Sequence, residues 1–266
     1  MRHAKVVTEL LPEFERVVED INLAWNEATE DILKIGARVA LVRQLESLHG
    51  AVNLCQSNLG HLAVSDVRGS CEEYLWLKYL ANLDSNLANQ IFIMSALDGA
   101  GSVNALRNYV GDEVMVNELD STESFMDALA TSAPEYMANL AEIGKQLGWP
   151  RAKHVVPSAK WVAEQIDEDR PYEYLYSASS RAIHFPPGES MRRAWVDGDG
   201  MVTTRWGIHQ TYLSDFALYQ LTKLFLKTVS VALPWIDKGP KSSDDSDFFE
   251  FDIEKLKTSA PFPPCR

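Results

Sequence analysis

Apolar side chains recur three and four positions apart along most of the chain, the spacing of one face of an α-helix. Phe14, Val17, Val18, Ile21, Ala24 and Trp25 set this period over 13–34; Val39, Val42, Leu45, Leu48, Val52 and Leu59 set it over 36–59. Gly60 separates these from a third helix expected over about 63–83, rich in Leu, Trp and Tyr. Asp84 and Ser85 stand where a helix cap belongs, ahead of a fourth helix holding Ile91, Phe92, Ile93, Met94 and Leu97. Asp98-Gly99-Ala100-Gly101 breaks the chain, and Ser102 is expected to cap a helix with Val103, Leu106, Tyr109 and Val110. Ser132-Ala133-Pro134-Glu135 has the form of a capping box with Pro near the first turn, and Gly148 with Pro150 marks a stop. Ser158 opens a short helix to about Asp169, Pro171 starts another through Ile183, and a last long helix covers about 209–233.

One stretch breaks the helical pattern. Ala194-Trp195-Val196 and Met201-Val202-Thr203-Thr204 flank Asp197-Gly198-Asp199-Gly200, a strand–turn–strand signal. The expected fold is therefore all-α, a multi-helix bundle with a small β-hairpin insert near 194–204, forming one domain over 1–237. From Lys238 the chain turns polar and acidic, then aromatic and Pro-rich. Residues 238–266, with Phe248, Phe249 and Phe251, are expected to be a tail that is flexible or docked on the body.

Composition narrows the function classes. Twenty-five Lys+Arg against thirty-eight Asp+Glu give a net charge of −13, which argues against broad, non-specific binding to phosphate backbones. It leaves room for a small, locally basic pocket. No run approaches the ~18 apolar residues a membrane span requires. The N-terminal segment is charged before any signal-peptide core could form, and no C-x-x-C pair links Cys55, Cys71 and Cys265. A cytoplasmic protein with no membrane partner is the expectation. The six histidines form no H-x-x-x-H or H-E-x-x-H pattern, so no metal site and no cofactor is expected. G-x-S-x-G elbows and Walker-type lysine loops are also missing from the sequence.

Two segments concentrate candidate chemistry. In the third helix, Val64, Val67, Cys71 and Leu75 form an apolar stripe with Arg68 and Glu72 at its edge, four residues apart and able to pair. In the helix after Pro171, Tyr172, Tyr176, Ser179 and Ile183 share a face, with Ser180 and His184 next to it and Arg181 beyond. That edge offers a hydroxyl, an imidazole suited to proton transfer near neutral pH and a guanidinium suited to phosphate or carboxylate. Between 181 and 205, Arg181, Arg192, Arg193 and Arg205 face three acidic residues (Glu189, Asp197, Asp199) and are joined by Trp195 and Trp206. A positive, aromatic-rimmed loop on an acidic protein suits a small anionic ligand or single-stranded nucleotide. The plainer alternative is that buried Ser and His at a helix end satisfy backbone groups.

R-x-x-x-E in an early helix followed about a hundred residues later by Y-x-x-x-S-x-x-x-H resembles a large, mostly bacterial helical family of the domain-of-unknown-function series (five-six-seven-seven). The pattern falls on Arg68, Glu72, Tyr176, Ser180 and His184, with Trp161 and Tyr172 in keeping. That family is in turn similar in style to HEPN domains, helical bundles that often dimerise. Many of those are metal-independent ribonucleases of toxin–antitoxin and phage-defence systems. The HEPN signature places four to six residues between Arg and His; here Arg181 and His184 have two between them.

The resemblance implies a homodimeric, HEPN-like ribonuclease or effector that takes RNA and has an antitoxin or other protein partner. His184 and Arg181 would be catalytic, and Tyr176, Ser180, Arg68, Glu72, Arg192 and Arg193 would bind or position the ligand. The alternative from the residues themselves is a non-enzymatic scaffold or a sensor of a small anion, in which the same polar groups form a network between helices.

Overall fold

The computed structural model describes residues 2–23, 32–96, 100–117, 123–150, 155–183, 195–196, 199–200, 202–203 and 207–232. Among these, the helical period read from the sequence becomes α1 (Arg2–Leu23), α2 (Ile32–Gln56), a 3-10 turn (Gly60–Ala63), α3 (Val64–Ala81) and α4 (Ser85–Ala96). There follow α5 (Ala100–Val110), α6 (Asp112–Asn117), α7 (Glu123–Gln146), α8 (Ala159–Gln165), α9 (Asp169–Ile183) and α10 (Gly207–Ala232). The fold is all-α.

Several boundaries move, each for a local reason. Helix α1 starts at Arg2, not near 13, because Val7, Leu10 and Leu11 already carry the helical period and are buried, and Pro12 is accommodated within it. Ser102 caps nothing, since α5 is already under way at Ala100. The apparent capping box at 132–135 is interior to α7, with Pro134 inside the helix. Proline there removes one backbone donor, whereas each flanking residue adds a hydrogen bond once the helix is nucleated.

Other signals act as expected. The Asp84 carboxylate accepts from the amides of Asn86 and Leu87 at 3.0 and 3.3 Å, and Ser158 Oγ accepts from the Trp161 amide at 3.3 Å. Gly148, at φ +73°, ends α7 in a Schellman turn: its amide reaches Lys145 O and the Trp149 amide reaches Gly144 O.

The strand signal near 194–204 amounts to two rungs. Trp195–Val196 pairs antiparallel with Val202–Thr203, Trp195 opposite Thr203 and Val196 opposite Val202. Pairing of this length does not alter the all-helical architecture, and residues 194, 197, 198, 201 and 204 lie outside the described residues. So does the segment 238–266.

Helix α10 is the central element, packing on α1, α2, α3 and the 3-10 turn, while α3 also packs on α9 and α8. Its buried face (Phe216, Leu218, Leu221, Leu224, Phe225, Val229) meets Val7, Leu11 and Phe14 of α1, Leu41 and Leu48 of α2, and the α3 stripe Val64, Val67, Cys71 and Leu75. Phe14 and Phe225 are in ring contact, centroids 4.8 Å apart. No described helix is long and apolar enough to cross a membrane.

Gly60 sets the closeness of the 3-10 turn to α10. A Cβ there would lie 2.4 Å from both Cys55 Sγ and Ser214 Oγ, whereas one at Gly50 in α2 would meet nothing within 4 Å. Gly60→Ala is therefore expected to destabilise the protein by about 1–3 kcal/mol through overpacking. Gly50→Ala is expected to stabilise it by about 0.5–1 kcal/mol through helix propensity. Urea denaturation of the two variants beside wild type checks both signs.

Candidate functional site

Helix α3 supplies two sets of polar side chains separated around its axis, and α9 packs along it. Arg68 and Glu72 stand on one flank, at ~100° per residue, and Tyr74 and Lys78 on the other. The contacts run in opposite order along the two helices: Arg68 meets Tyr176, and Tyr74 and Lys78 meet Glu168. So α9 packs antiparallel on α3.

On the first flank, Arg68 Nε donates to Glu72 Oε1 at 2.9 Å, and the guanidinium carbon sits 4.7 Å from the centroid of the Tyr176 ring. The Tyr176 ring is tilted against Tyr172, centroids 5.5 Å apart. The Arg68 and Glu72 side chains are about a third exposed, at 30% and 35%. The hydrogen bond from Arg68 to Glu72 raises the Arg68 pKa further, and burial, reinforced by the Glu72 charge, pushes the Tyr172 phenol up to about 12. Both groups keep their neutral-pH protonation. Apart from Nε, Arg68 has four N–H donors, and none makes a hydrogen bond among the described residues.

The structure thus brings Arg68, Glu72, Tyr172 and Tyr176 together from segments about a hundred residues apart. The rest of α9 divides differently from the helical-wheel reading. Its buried face is Tyr172, Leu175 and Ser179, and the Ser179 hydroxyl is spent on Leu175 O at 2.7 Å. Tyr176, expected on that face, is 40% exposed and lies at its edge. Ser180 Oγ is buried and has no hydrogen-bond partner among the described residues. Arg181 belongs to α9 by its backbone. His184, Arg192 and Arg193 lie outside the described residues.

The second flank was invisible to sequence reasoning. Glu168 is 8% exposed and accepts four hydrogen bonds. Oε1 takes Tyr74 Oη at 2.6 Å, Lys78 Nζ at 2.9 Å and Lys227 Nζ of α10 at 2.9 Å, and Oε2 takes Lys227 Nζ at 2.8 Å. The Lys227 ammonium also lies 4.8 Å from the centroid of the Tyr74 ring.

The turn between α8 and α9 explains how this carboxylate arrives there. Asp167 adopts φ +57°, a left-handed conformation that Asp tolerates, and the Glu168 amide donates back to Ala163 O at 2.9 Å. Glu168 O in turn accepts the Tyr172 amide at 3.0 Å, so the residue closes α8 and opens α9. Its side chain is fixed by backbone on both sides.

Burial alone would raise the Glu168 pKa, but the hydrogen bonds from Lys227, Tyr74 and Lys78 outweigh it and bring it down to about 2. Tyr74 is pushed far above the usual phenol range by burial and by donating to that carboxylate. Cys71, buried between the two flanks, has its thiol pushed up to about 12 by burial and is not poised as a nucleophile. Tyr79 accepts a hydrogen bond from Trp149 Nε1 at 3.1 Å and packs edge-on against Trp161 and Trp76. That aromatic group holds α8 and the end of α7 on α3. No cluster of three or more metal-ligating side chains occurs among the described residues.

A model of a family of unknown function, DUF5677, matches residues 35–201. The chain belongs to this family. Comparison with curated proteins and with solved structures found no match. The DUF5677 match takes in α3, α8 and α9, and so both flanks of the site except Lys227, which α10 contributes from beyond its end.

A carboxylate with a folded pKa near 2 and an ordinary value of 4.5 when unfolded contributes stability that is complete above about pH 5 and is lost as pH falls towards 2. The contribution is ~3 kcal/mol at neutral pH. Glu168→Gln also leaves two ammonium groups without their partner, so it is expected to destabilise by about 3–5 kcal/mol at pH 7. The gap between the variant and wild type is expected to shrink as pH is lowered from 5 to 2, measured by urea midpoints.

Proposed function

We propose that the α3–α9 seam is the ligand site of this DUF5677 protein, that the ligand is single-stranded RNA, and that the site cleaves it as a HEPN-like ribonuclease without a metal. The observation that carries the reading is the state of Arg68. Glu72 and the Tyr176 ring hold its guanidinium in place, yet its terminal NH₂ groups make no hydrogen bond among the described residues, at a partly exposed surface. Such a guanidinium is set to receive a phosphate oxygen, and the exposed tyrosine beside it offers a ring on which a base can stack. The buried Ser180 hydroxyl, unpartnered among the described residues, supplies a further donor on the same helix.

In this reading His184 acts as general base and takes the proton of a ribose 2′-hydroxyl. The freed oxygen attacks the adjacent phosphorus, the bond to the 5′-oxygen breaks, and a protonated group returns a proton to that leaving oxygen. A 2′,3′-cyclic phosphate and a 5′-hydroxyl end result. Arg181, Arg192 and Arg193 steady the negative charge on the phosphate, and Arg68, Glu72, Tyr176 and Ser180 position the strand. A homodimer and a protein partner, such as an antitoxin in a defence system, go with the HEPN resemblance.

A second reading, a non-enzymatic scaffold, is favoured by one observation: Glu72 already occupies Arg68 Nε, as a purely structural pair would. A sensor of a small anion would share the site without turnover.

Purified protein incubated with labelled single-stranded RNA in EDTA separates these. The ribonuclease reading predicts cleavage to cyclic-phosphate ends, a loss of about 10²–10⁴-fold in rate for His184→Ala, and weaker RNA binding for Arg68→Ala. Wild type that leaves RNA intact, or a His184→Ala variant that cuts as fast as wild type, overturns it. RNA left intact, with loss of stability in Arg68→Ala as its only effect, supports the scaffold.

A further inference from the structure

The charges on the second flank do not balance. Lys78 and Lys227 both lie 2.9 Å from the same oxygen of Glu168. Their ammonium groups are therefore no more than about 6 Å apart and repel each other. One carboxylate neutralises one of them, and neither lysine pairs with a second carboxylate among the described residues. Both ammonium groups fill lone pairs of the one carboxylate, and the second adds like-charge repulsion at this separation.

Both lysine side chains are about a third exposed, at 32% and 31%, whereas Glu168 and Tyr74 beneath them are buried. Each ammonium has three donors. Lys78 spends one on Glu168, and Lys227 directs its contacts to the two oxygens of the same carboxylate. Further donors on both make no hydrogen bond among the described residues.

We infer that Lys78 and Lys227 form a phosphate-binding site, distinct from the Arg68 seam, in which Glu168 and Tyr74 fix the two ammonium groups at the spacing one phosphate group can bridge. The ligand class is a phosphate dianion, free or as the monoester end of a nucleotide. Its charge compensates the cation that exceeds the carboxylate among the described residues. The site stands independently of the ribonuclease reading, because it uses α10 and the other flank of α3.

Thermal unfolding of the full chain tests this with inorganic phosphate against chloride at matched ionic strength, and with adenosine 5′-monophosphate against adenosine. Inorganic phosphate at saturation is expected to raise Tm by about 2–4 °C over chloride. Lys78→Gln is expected to lose that shift, and Lys145→Gln, at an exposed lysine paired with Glu142, to keep it. Stabilisation by the monophosphate but not by adenosine assigns the site to a nucleotide phosphate; stabilisation by inorganic phosphate alone assigns it to the free anion. Broadening of the ³¹P resonance of inorganic phosphate by wild type gives a second readout that does not depend on how stable the variant is. No shift and no broadening in wild type overturns the proposal, as does a shift that survives in Lys78→Gln.

Discussion

A single buried carboxylate sets the geometry on which the candidate chemistry rests. Glu168 receives its donors from two other helices, Tyr74 and Lys78 of α3 and Lys227 of α10, while its own backbone joins α8 to α9. Taking an ion of this kind out of water is costly unless its lone pairs are filled. Here all the donors must be in place together, so α3, α9 and α10 are tied at one point. Apolar packing brings these helices into contact, but hydrophobic contact is not directional. The ionic junction selects one rotation of α9 over α3, and that rotation carries Tyr176 to Arg68.

The two flanks of α3 then differ in kind. At Arg68 the cation count matches the carboxylate count, and the guanidinium rests on an aromatic ring at the surface. At Glu168 two cations share one carboxylate above a buried floor. Between them Cys71 and Leu75 are buried and apolar, and charges of both flanks, Glu72 on one side and Lys227 and Glu168 on the other, act on the Cys71 thiol. On an acidic protein of net charge −13 the Glu168 flank is thereby a local excess of positive charge among the described residues, whereas the Arg68 flank is balanced.

Much of this was legible in the sequence where a periodic or short-range signal exists. The α3 stripe Val64, Val67, Cys71 and Leu75 is buried as the spacing required, and the i,i+4 pair of Arg68 and Glu72 forms. The meeting of Arg68 with Tyr176 was accessible only through the paired motifs, since no local rule links residues so distant. Glu168 left no such trace. Its donors lie 94, 90 and 59 positions away, and its placement depends on a left-handed Asp167 in a sequence, Ile166-Asp167-Glu168, that has no glycine to announce the turn. An apparent helix start at Ser132 misled for the converse reason: a local cap signal is weak beside the propagation of a long helix.

Membership of DUF5677 extends over both arms of the α3–α9 pair, whereas α10, which completes the Glu168 junction, lies past the matched region. The account stands or falls on whether that carboxylate is held ionised by its neighbours. The direct measurement is a ¹³C titration of the Glu168 side-chain carboxyl in the folded protein. A midpoint near 2 is the result predicted; a midpoint at or above the ordinary 4.5 would contradict it.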